Sequence, residues 1–419
     1  MNVPGGQWDN ALWDYSLWDF PQNSLLVQGT MISRALIEMF TQTKGNGQVI
    51  GAAVLVAGQN LTSLIERVEI RMNGGKATKI ASITFIGCDI PGLAIDAAIS
   101  VSFSFRLATD EVFSETVFAG SISTILPNRG AKQQTTRITA KDAPTLALEQ
   151  PYNGILDGGN LASTWLAEKI AAAGLGTADL MIRDYVGGGS TLSFDALGEA
   201  LLEVAGGIGN VVGFLGNLGT FTIHDVENAM ASSWSIPLTG ITSWSESENG
   251  NRQYDVVLVN GFSMPDVPAY TYTVGRWDSN LNRYVYETVT APAVAAPPAR
   301  AAAYNSLLGI SAMSPEGEAG FDLEELKALL QCDSIDYTLN SNVLWQADDL
   351  LEKAKSLSAF SKRKWASFEV PLNPYLTPGL KVSAVLPADN LAHDLVILNV
   401  THGFSWPAGG WTNLTGVFA

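Results

Sequence analysis

Apolar and polar side chains alternate with a period of two along several stretches of this sequence, and this pattern constrains the fold more than any other feature. The clearest runs are residues 67–72 and 101–107, and the pattern continues at 117–125 and 135–140. Successive side chains of a strand point to opposite faces, so these runs predict half-buried antiparallel strands. The Asn-Gly-Gly sequence at 73–75 is a strong hairpin signal between two of them.

The pattern changes to helical spacing after residue 150. Residues 161–173 have the apolar spacing of a helix, with Asn160 predicted as its N-cap and Gly174 as its end. Ser193 is predicted to open a second helix. Later in the chain, Asp322 with Glu325 resembles a capping box, and Ser341 is predicted to cap one more helix.

These patterns predict a mainly β chain with an α/β insertion, of the α+β class. From the residues alone, the strands at 49–148 form a small β-barrel or a sandwich. The expected order is an N-terminal arm with Trp-Asp repeats at 1–48, a first strand domain at 49–150, an α/β insertion at 151–233, a return to strands at 234–262, a hairpin, linker and helix insertion at 263–340, and the remainder of the second strand domain at 341–419.

Three tryptophans near the start recur every five residues, each followed by aspartate: Trp8, Trp13 and Trp18. A period of five fits neither a helix face nor a strand face. Because tryptophan is enriched at interface hot spots, these residues are candidates for docking on a neighbouring protein. The alternative is a local aromatic cluster that folds back on its own domain, and the sequence leaves both open.

Composition limits the classes of function. Only 16% of the residues are charged, against roughly 25% in typical soluble domains, which predicts surface covered by partner subunits. The net charge of −17 argues against sequence-specific nucleic-acid binding, which needs cations to neutralise phosphates. An acidic wall along which DNA passes without sticking remains compatible with it. We see no signal peptide and no long apolar run, and so expect synthesis in the cytoplasm without stable membrane insertion.

A search for chemistry finds no marker of catalysis. His224, His393 and His402 lack metal-ligand spacing; we expect His224 on a strand surface and His402 in a structural hydrogen bond. There is no nucleophile elbow and no phosphate-binding loop. Residues 278–282 resemble the start of a calcium loop, but Arg283 stands where that loop needs glycine, so we interpret them as a hairpin turn. We therefore predict a protein that is not an enzyme, with no catalytic residues, no metal and no cofactor.

The order of these elements resembles the tail hub (baseplate hub) protein family of tailed bacteriophages and related injection machines. The resemblance covers roughly residues 55–419 and is one of arrangement. The segments that carry it are Glu115-x-Val117-Phe118-x-Gly120-x-Ile122, Ile138-x-Ala140-Lys141-Asp142, Leu161 to Gly174, Leu197 to Gly209, Gly219-x-Phe221-x-Ile223, Tyr254-x-Val256-Val257-Leu258-Val259, Leu376-x-Pro378-Gly379-x-x-Val382 and Val396-x-x-x-Val400-x-His402-x-Phe404.

The resemblance implies two tube-like antiparallel β-barrel domains plus a small helical/sheet domain, with the first barrel at 49–150 and the second at 234–262 and 341–419. It also implies a homotrimer at the tip of a phage tail. Three chains with two barrels each would form a pseudo-six-fold ring that joins the tail tube to the central spike and surrounds the DNA exit channel. The implied partners are the tail tube, distal tail, spike and tape-measure proteins, with passive passage of DNA, in a virion tail or baseplate. The alternatives are another tail component, such as a receptor-binding or distal tail protein, and a tail-associated glycoside hydrolase.

Overall fold

The structure is a computed structural model, and it describes the following residues: 48–88, 90–106, 112–130, 134–215, 220–236, 241–247, 253–262, 270–278, 283–291, 299–315, 320–386, 388–406 and 408–418.

Strands and helices follow one another along these residues. The first half contains β1 (Gln48–Val56), β2 (Gln59–Asn60), β3 (Ile65–Asn73), β4 (Thr78–Ile86), β5 (Ala98–Arg106), β6 (Val112–Arg129), β7 (Gln134–Lys141), α1 (Ala143–Leu148), β8 (Tyr152–Leu156), α2 (Ala162–Ala172), β9 (Gly176–Met181), β10 (Ser190–Phe194), α3 (Leu197–Ala205), β11 (Val211–Leu215) and β12 (Thr220–Asp225). The second half contains β13 (Met230–Ile236), β14 (Ser243–Ser247), β15 (Val256–Asn260), β16 (Tyr270–Asp278), β17 (Arg283–Ala291), β18 (Ala301–Asn305), β19 (Ile310–Met313), α4 (Leu323–Leu330), β20 (Tyr337–Asn340), α5 (Ala347–Ser361), β21 (Trp365–Pro371), β22 (Leu380–Val385), β23 (Ala392–Ser405) and β24 (Gly409–Phe418).

Thirteen strands from both ends of the chain form one sheet, which we call the central sheet. Its order is β14-β21-β24-β23-β3-β4-β7-β6-β5-β1-β2, with β22 beside β23 and β13 beside β22. The N-terminal and C-terminal parts meet where β23 pairs antiparallel with β3, in the register Val400↔Met72 through Ser405↔Arg67. The two predicted barrel regions are therefore joined by backbone hydrogen bonds.

Two apolar cores lie under the central sheet and divide it into two lobes. In the first lobe, β1 to β7, the inward residues of the alternating strands are buried, among them Ile83 and Phe103. In the second lobe, which contains β13, β14 and β21 to β24, Phe368 and Leu395 are buried in the same way. Burial of side chains of this size stabilises each lobe by about 1.5–3 kcal/mol per residue. Phe404 of β23 also packs in the first core, and β1 lies against β24, so the lobes share a boundary.

Most of the chain between β7 and β21 forms a separate layer of smaller sheets and helices, which we call the α/β layer. It contains the sheets β11-β12-β9 and β19-β18-β15-β20 and the pair β10-β8. One core joins these pieces, because Trp165 of α2, Phe221 of β12, Val257 of β15 and Leu350 of α5 belong to the same buried cluster. The mainly β class with an α/β insertion is thus confirmed.

Some assignments made from the sequence differ from the structure. Val256–Asn260, expected in the second barrel, pairs instead with β18 and β20 in the α/β layer. The physical reason is that this strand is buried on both faces, with Val257 in one core and Val256 in another. Helix α5, which falls in the predicted range 341–419, also packs in this layer.

The predicted helix starts are partly wrong. Asp322 does cap α4, because its carboxylate accepts hydrogen bonds from the backbone N–H groups of Glu324 and Glu325. Helix α2 begins after Leu161 rather than Asn160, and Ser193 lies in β10, four residues before α3. The Ser341 hydroxyl accepts hydrogen bonds from two backbone N–H groups in a turn that precedes α5. It therefore stabilises that turn and does not cap the helix.

Candidate assembly surfaces

The docking residues predicted from the sequence, Trp8, Trp13 and Trp18, lie outside the residues that the structure describes. Among the described residues, no group of three or more His, Cys, Asp or Glu side chains is arranged to hold a metal ion. The same part of the chain contains no helix with the length and apolar character that crossing a membrane requires.

The histidines serve packing and hydrogen bonding. The prediction for His224 is wrong, because its residue is 2% exposed and its Nδ1 lies 3.1 Å from the carbonyl oxygen of Gly379. His402 has the predicted structural role, since its Nδ1 lies 3.0 Å from the hydroxyl of Thr412. Burial lowers the pKa of His402 to about 3, which keeps the ring neutral. His393 lies on the surface, 2.7 Å from a carboxylate oxygen of Asp389.

One face of the central sheet is not buried by either core. On β3, Arg67, Glu69 and Arg71 point to this face, while the residues between them point to the first core. The cross-strand register puts short polar and basic side chains in the same rows. We call this the polar face; besides the three β3 residues it contains Ser82 and Thr84 of β4, Arg137, Thr139 and Lys141 of β7, Thr401 and Ser405 of β23, and Asn413 and Thr415 of β24.

A charged cluster marks the middle of the polar face, at the junction of the two lobes. Glu69 accepts hydrogen bonds from both neighbouring arginines, from Arg67 and, at 2.6 Å, from Arg71. The Arg67 guanidinium lies 5.3 Å from the centre of the Trp411 ring. That ring lies across Gly403, where an added Cβ would come within 2.8 Å of the indole nitrogen. Glycine at this position thus allows Trp411 of β24 to reach over β23 to β3.

The negative charge of the chain is concentrated in the middle of the sequence. Residues 49–150 carry nine acidic and nine basic side chains, and residues 362–419 carry three acidic and four basic ones. Residues 151–361 carry twenty-five acidic and nine basic side chains, an excess of sixteen negative charges. The acidic excess therefore lies between residues 151 and 361, the part of the sequence that contains the α/β layer, while residues 49–150 and 362–419 are close to neutral.

A buried polar network fastens α5 to the rest of the α/β layer. Asp225, which is fully buried, accepts a hydrogen bond of 2.8 Å from Arg183, and Arg183 also pairs with Glu227. The Lys353 ammonium of α5 donates to the carbonyl oxygens of Gly206 at 2.6 Å and Gly209 at 2.9 Å.

This network predicts a pH-dependent stability. Burial lowers the pKa of Lys353 to about 8, from 10.5 for an exposed lysine, although Glu203 and Asp225 act in the opposite direction. Between these two values the unfolded chain binds more protons than the native one, so the free energy of unfolding rises with pH. We expect the Lys353→Met variant to lose about 2–3 kcal/mol of this rise between pH 8 and 10.5, measured by urea unfolding. If the free energy of unfolding depended on pH in the same way in both proteins, Lys353 would not be the group with the lowered pKa.

A two-stranded hairpin, β16 with β17, is hydrogen-bonded within itself and belongs to no larger sheet of the described chain. Its exposed aromatic side chains include Tyr272, Tyr284 and Tyr286, and Tyr286 is 71% exposed. Exposed tyrosines offer apolar area together with a hydrogen-bonding group, so this hairpin is a second surface suited to a protein partner.

The fold was compared with those of known proteins. No protein-family model matches the sequence, and no curated protein matches it. Among solved structures, the tail protein from Neisseria meningitidis MC58 matches with a TM-score of 0.53 and 12% identity, over 88% of this chain and 96% of that one. The 43 kDa tail protein of prophage MuSo2 from Shewanella oneidensis matches with a TM-score of 0.54 and 10% identity, over 88% and 98%. The chain has the fold of these tail proteins.

The resemblance to tail proteins that the order of elements predicted is thus confirmed at the level of the fold. The alternation of Arg67, Glu69 and Arg71 was visible in the sequence as three polar positions on one strand face. Their contact with Trp411 was not, since it depends on the pairing of β3 with a strand more than 300 residues later. The Gly403 position, between His402 and Phe404 in the interior of a strand, was the one local signal for a close approach of this kind.

Proposed function

We propose that this chain is a structural subunit of a phage tail or baseplate, and specifically a hub subunit that forms a homotrimeric ring. The observation that carries this proposal is the junction of β23 with β3, which joins two lobes of a tail-protein fold into one continuous sheet. A chain of this build contributes two adjacent wall segments to a ring. Three copies provide six segments, so the ring connects a six-fold tail tube to a three-fold spike.

The distribution of charge gives the ring an orientation. The acidic α/β layer is strongly hydrated and suits the outside of the ring. The polar face then lines the channel through which DNA leaves, with no specific binding of the DNA. In this proposal the protein is located in the virion tail or baseplate. Its neighbours are the tail tube, distal tail, spike and tape-measure proteins, and it has no catalytic role. Trp8, Trp13 and Trp18 are proposed to dock on one of these neighbours.

A small apolar patch of two exposed side chains, at the margin of the polar face in the first lobe, is the proposed contact between copies, and the channel is lined by the part of this face nearer the junction of the lobes. Ile86 of β4 is 53% exposed and Leu126 of β6 is 57% exposed, and the two strands flank β7. On the second lobe, β14 pairs with β21 along one edge, and its other edge pairs with no described strand. We propose that the patch of one copy packs beside the β14 edge of the next, which closes the ring after three copies.

The Leu126→Asp variant is expected to lose the trimer, because a carboxylate would be buried in the contact at a cost of several kcal/mol. Sedimentation velocity of the full chain should show a trimer for the wild type and a single chain for the variant. Leu307→Asp is the matched control, since Leu307 is 70% exposed in the α/β layer and should leave the trimer intact. A wild type that sediments as a single chain at micromolar concentration, or equal behaviour of both variants, would refute this contact.

The exposed hairpin β16–β17 favours a second candidate function, in which the chain is another tail component, such as a receptor-binding or distal tail protein. In that case the tyrosines of the hairpin would carry the binding, and the protein would work without forming a three-fold ring.

A further inference from the structure

The polar face holds more basic than acidic side chains, and each of its cations is held by a hydrogen bond or an ion pair. Arg67 and Arg71 both bind Glu69, whose side chain is 11% exposed beneath them, while the arginines are 54% and 58% exposed. Arg137 donates to the Ser82 hydroxyl at 3.0 Å. Lys141 binds the Glu149 carboxylate at 2.7 and 2.8 Å.

We propose that Glu69 sets the affinity of the polar face for the phosphate backbone of duplex DNA, keeping it weak by holding Arg67 and Arg71. This inference rests on the proposed function, in which the face lines the DNA channel. A guanidinium that is bound to a carboxylate contributes little net charge to a polyanion. Without Glu69, the two arginines would each be available for a charge-assisted contact with phosphate oxygens.

The geometry makes Glu69 suited to this role. Arg67, Glu69 and Arg71 are alternate residues of β3, so their side chains leave the strand on the same face. Glu69 lies between the two arginines and contacts both. Although burial by itself raises the pKa of Glu69, the hydrogen bond from Arg71 and the charges of both arginines outweigh it and hold the pKa below its ordinary value. The carboxylate is therefore ionised at neutral pH and does not release the arginines on mild acidification.

Arg67 also has a structural role. Arg67 stacks on Trp411 across Gly403, and so ties β3 to β24 at the junction of the lobes. A junction that needs arginine for packing would also attract DNA, unless a counter-charge accompanies it. Glu69 provides that counter-charge within the same strand.

The test measures binding of a fluorescein-labelled 16-base-pair duplex to the full-length protein by fluorescence anisotropy, from 25 to 200 mM NaCl. We expect weak binding for the wild type and binding tightened by about tenfold at low salt for Glu69→Gln. The slope of log K against log salt should steepen by about one to two, as for one or two added phosphate contacts. Glu352→Gln is the matched control: it removes the same charge from an exposed pair with Lys355, and it should bind as the wild type does.

Adding Arg67→Gln and Arg71→Gln to Glu69→Gln should abolish the gain. If Glu69→Gln binds DNA no more tightly than Glu352→Gln, or if the triple variant keeps the gain, the inference is overturned. The same samples are examined by sedimentation velocity, so that a failure of DNA binding in intact trimers is distinguished from a failure of the trimer itself.

Discussion

Gly120→Ala is expected to destabilise the protein by about 3 kcal/mol, which is a large effect for the addition of one methyl group. Gly120 lies in β6 where this strand passes close to the end of β7. A Cβ at this position would collide with the carbonyl oxygen of Lys141 and lie 2.9 Å from the Cα of Asp142. Both obstacles are backbone atoms, so no side-chain rotation relieves the collision, and the strands themselves must move apart. Urea unfolding of the full chain measures the loss.

Gly51→Ala is the matched control for this prediction. Gly51 lies in β1 of the same lobe, and an added Cβ there meets no heavy atom within 4 Å. Its substitution should change the free energy of unfolding by less than about 1 kcal/mol, since alanine only reduces the freedom of the unfolded chain. Equal stabilities of the two variants would show that β6 and β7 do not approach each other as described.

Asp225→Ala is expected to cost about 3 kcal/mol, because it removes a fully buried carboxylate from the partly exposed Arg183. The variant leaves the Arg183 guanidinium with Glu227 alone, and it also removes the carboxylate that accepts from the backbone N–H of Glu227 at 3.0 Å. The nearby Lys353 ammonium would lose a favourable charge as well. Thermal unfolding followed by circular dichroism should show a clearly lower midpoint.

Glu352→Ala serves as the control here. Glu352 pairs with Lys355 on the exposed side of α5, with both side chains more than 40% exposed. Exposed pairs of this kind contribute about 0.3–0.5 kcal/mol, so the midpoint should hardly change. If the two variants were equally stable, the Asp225 network would contribute no more to stability than an exposed ion pair.

Much of the central sheet could be predicted from the sequence, because its strands are buried on one face only. In β3, β4 and β7 the alternation of apolar and polar residues is nearly complete, and it gives both the strand and the side that faces the core. In β15 the run Val256-Val257-Leu258-Val259 has no alternation, since both of its faces are buried. A continuous apolar run indicates that the strand is buried, but it does not indicate which sheet the strand belongs to.

The surfaces that matter for assembly were harder to predict. The sequence shows the total charge, whereas the location of each charge depends on which segments form the sheet. The cluster of Arg67, Glu69 and Trp411 depends on the pairing of β3 with β23 and on the lack of a side chain at Gly403, both of which are properties of the folded chain. Helix starts were misplaced at Ser193 and Ser341 because a residue that can cap a helix also stabilises turns and strand ends.

Electron microscopy of the purified full-length protein at micromolar concentration, with class averages of single particles, tests the hub function most directly. We expect three-fold rings with six similar lobes around a central hole, and the α/β layer on the outer rim. Compact single particles without a hole, at every concentration at which the protein stays in solution, would contradict the hub function and favour a tail component that acts as a separate chain.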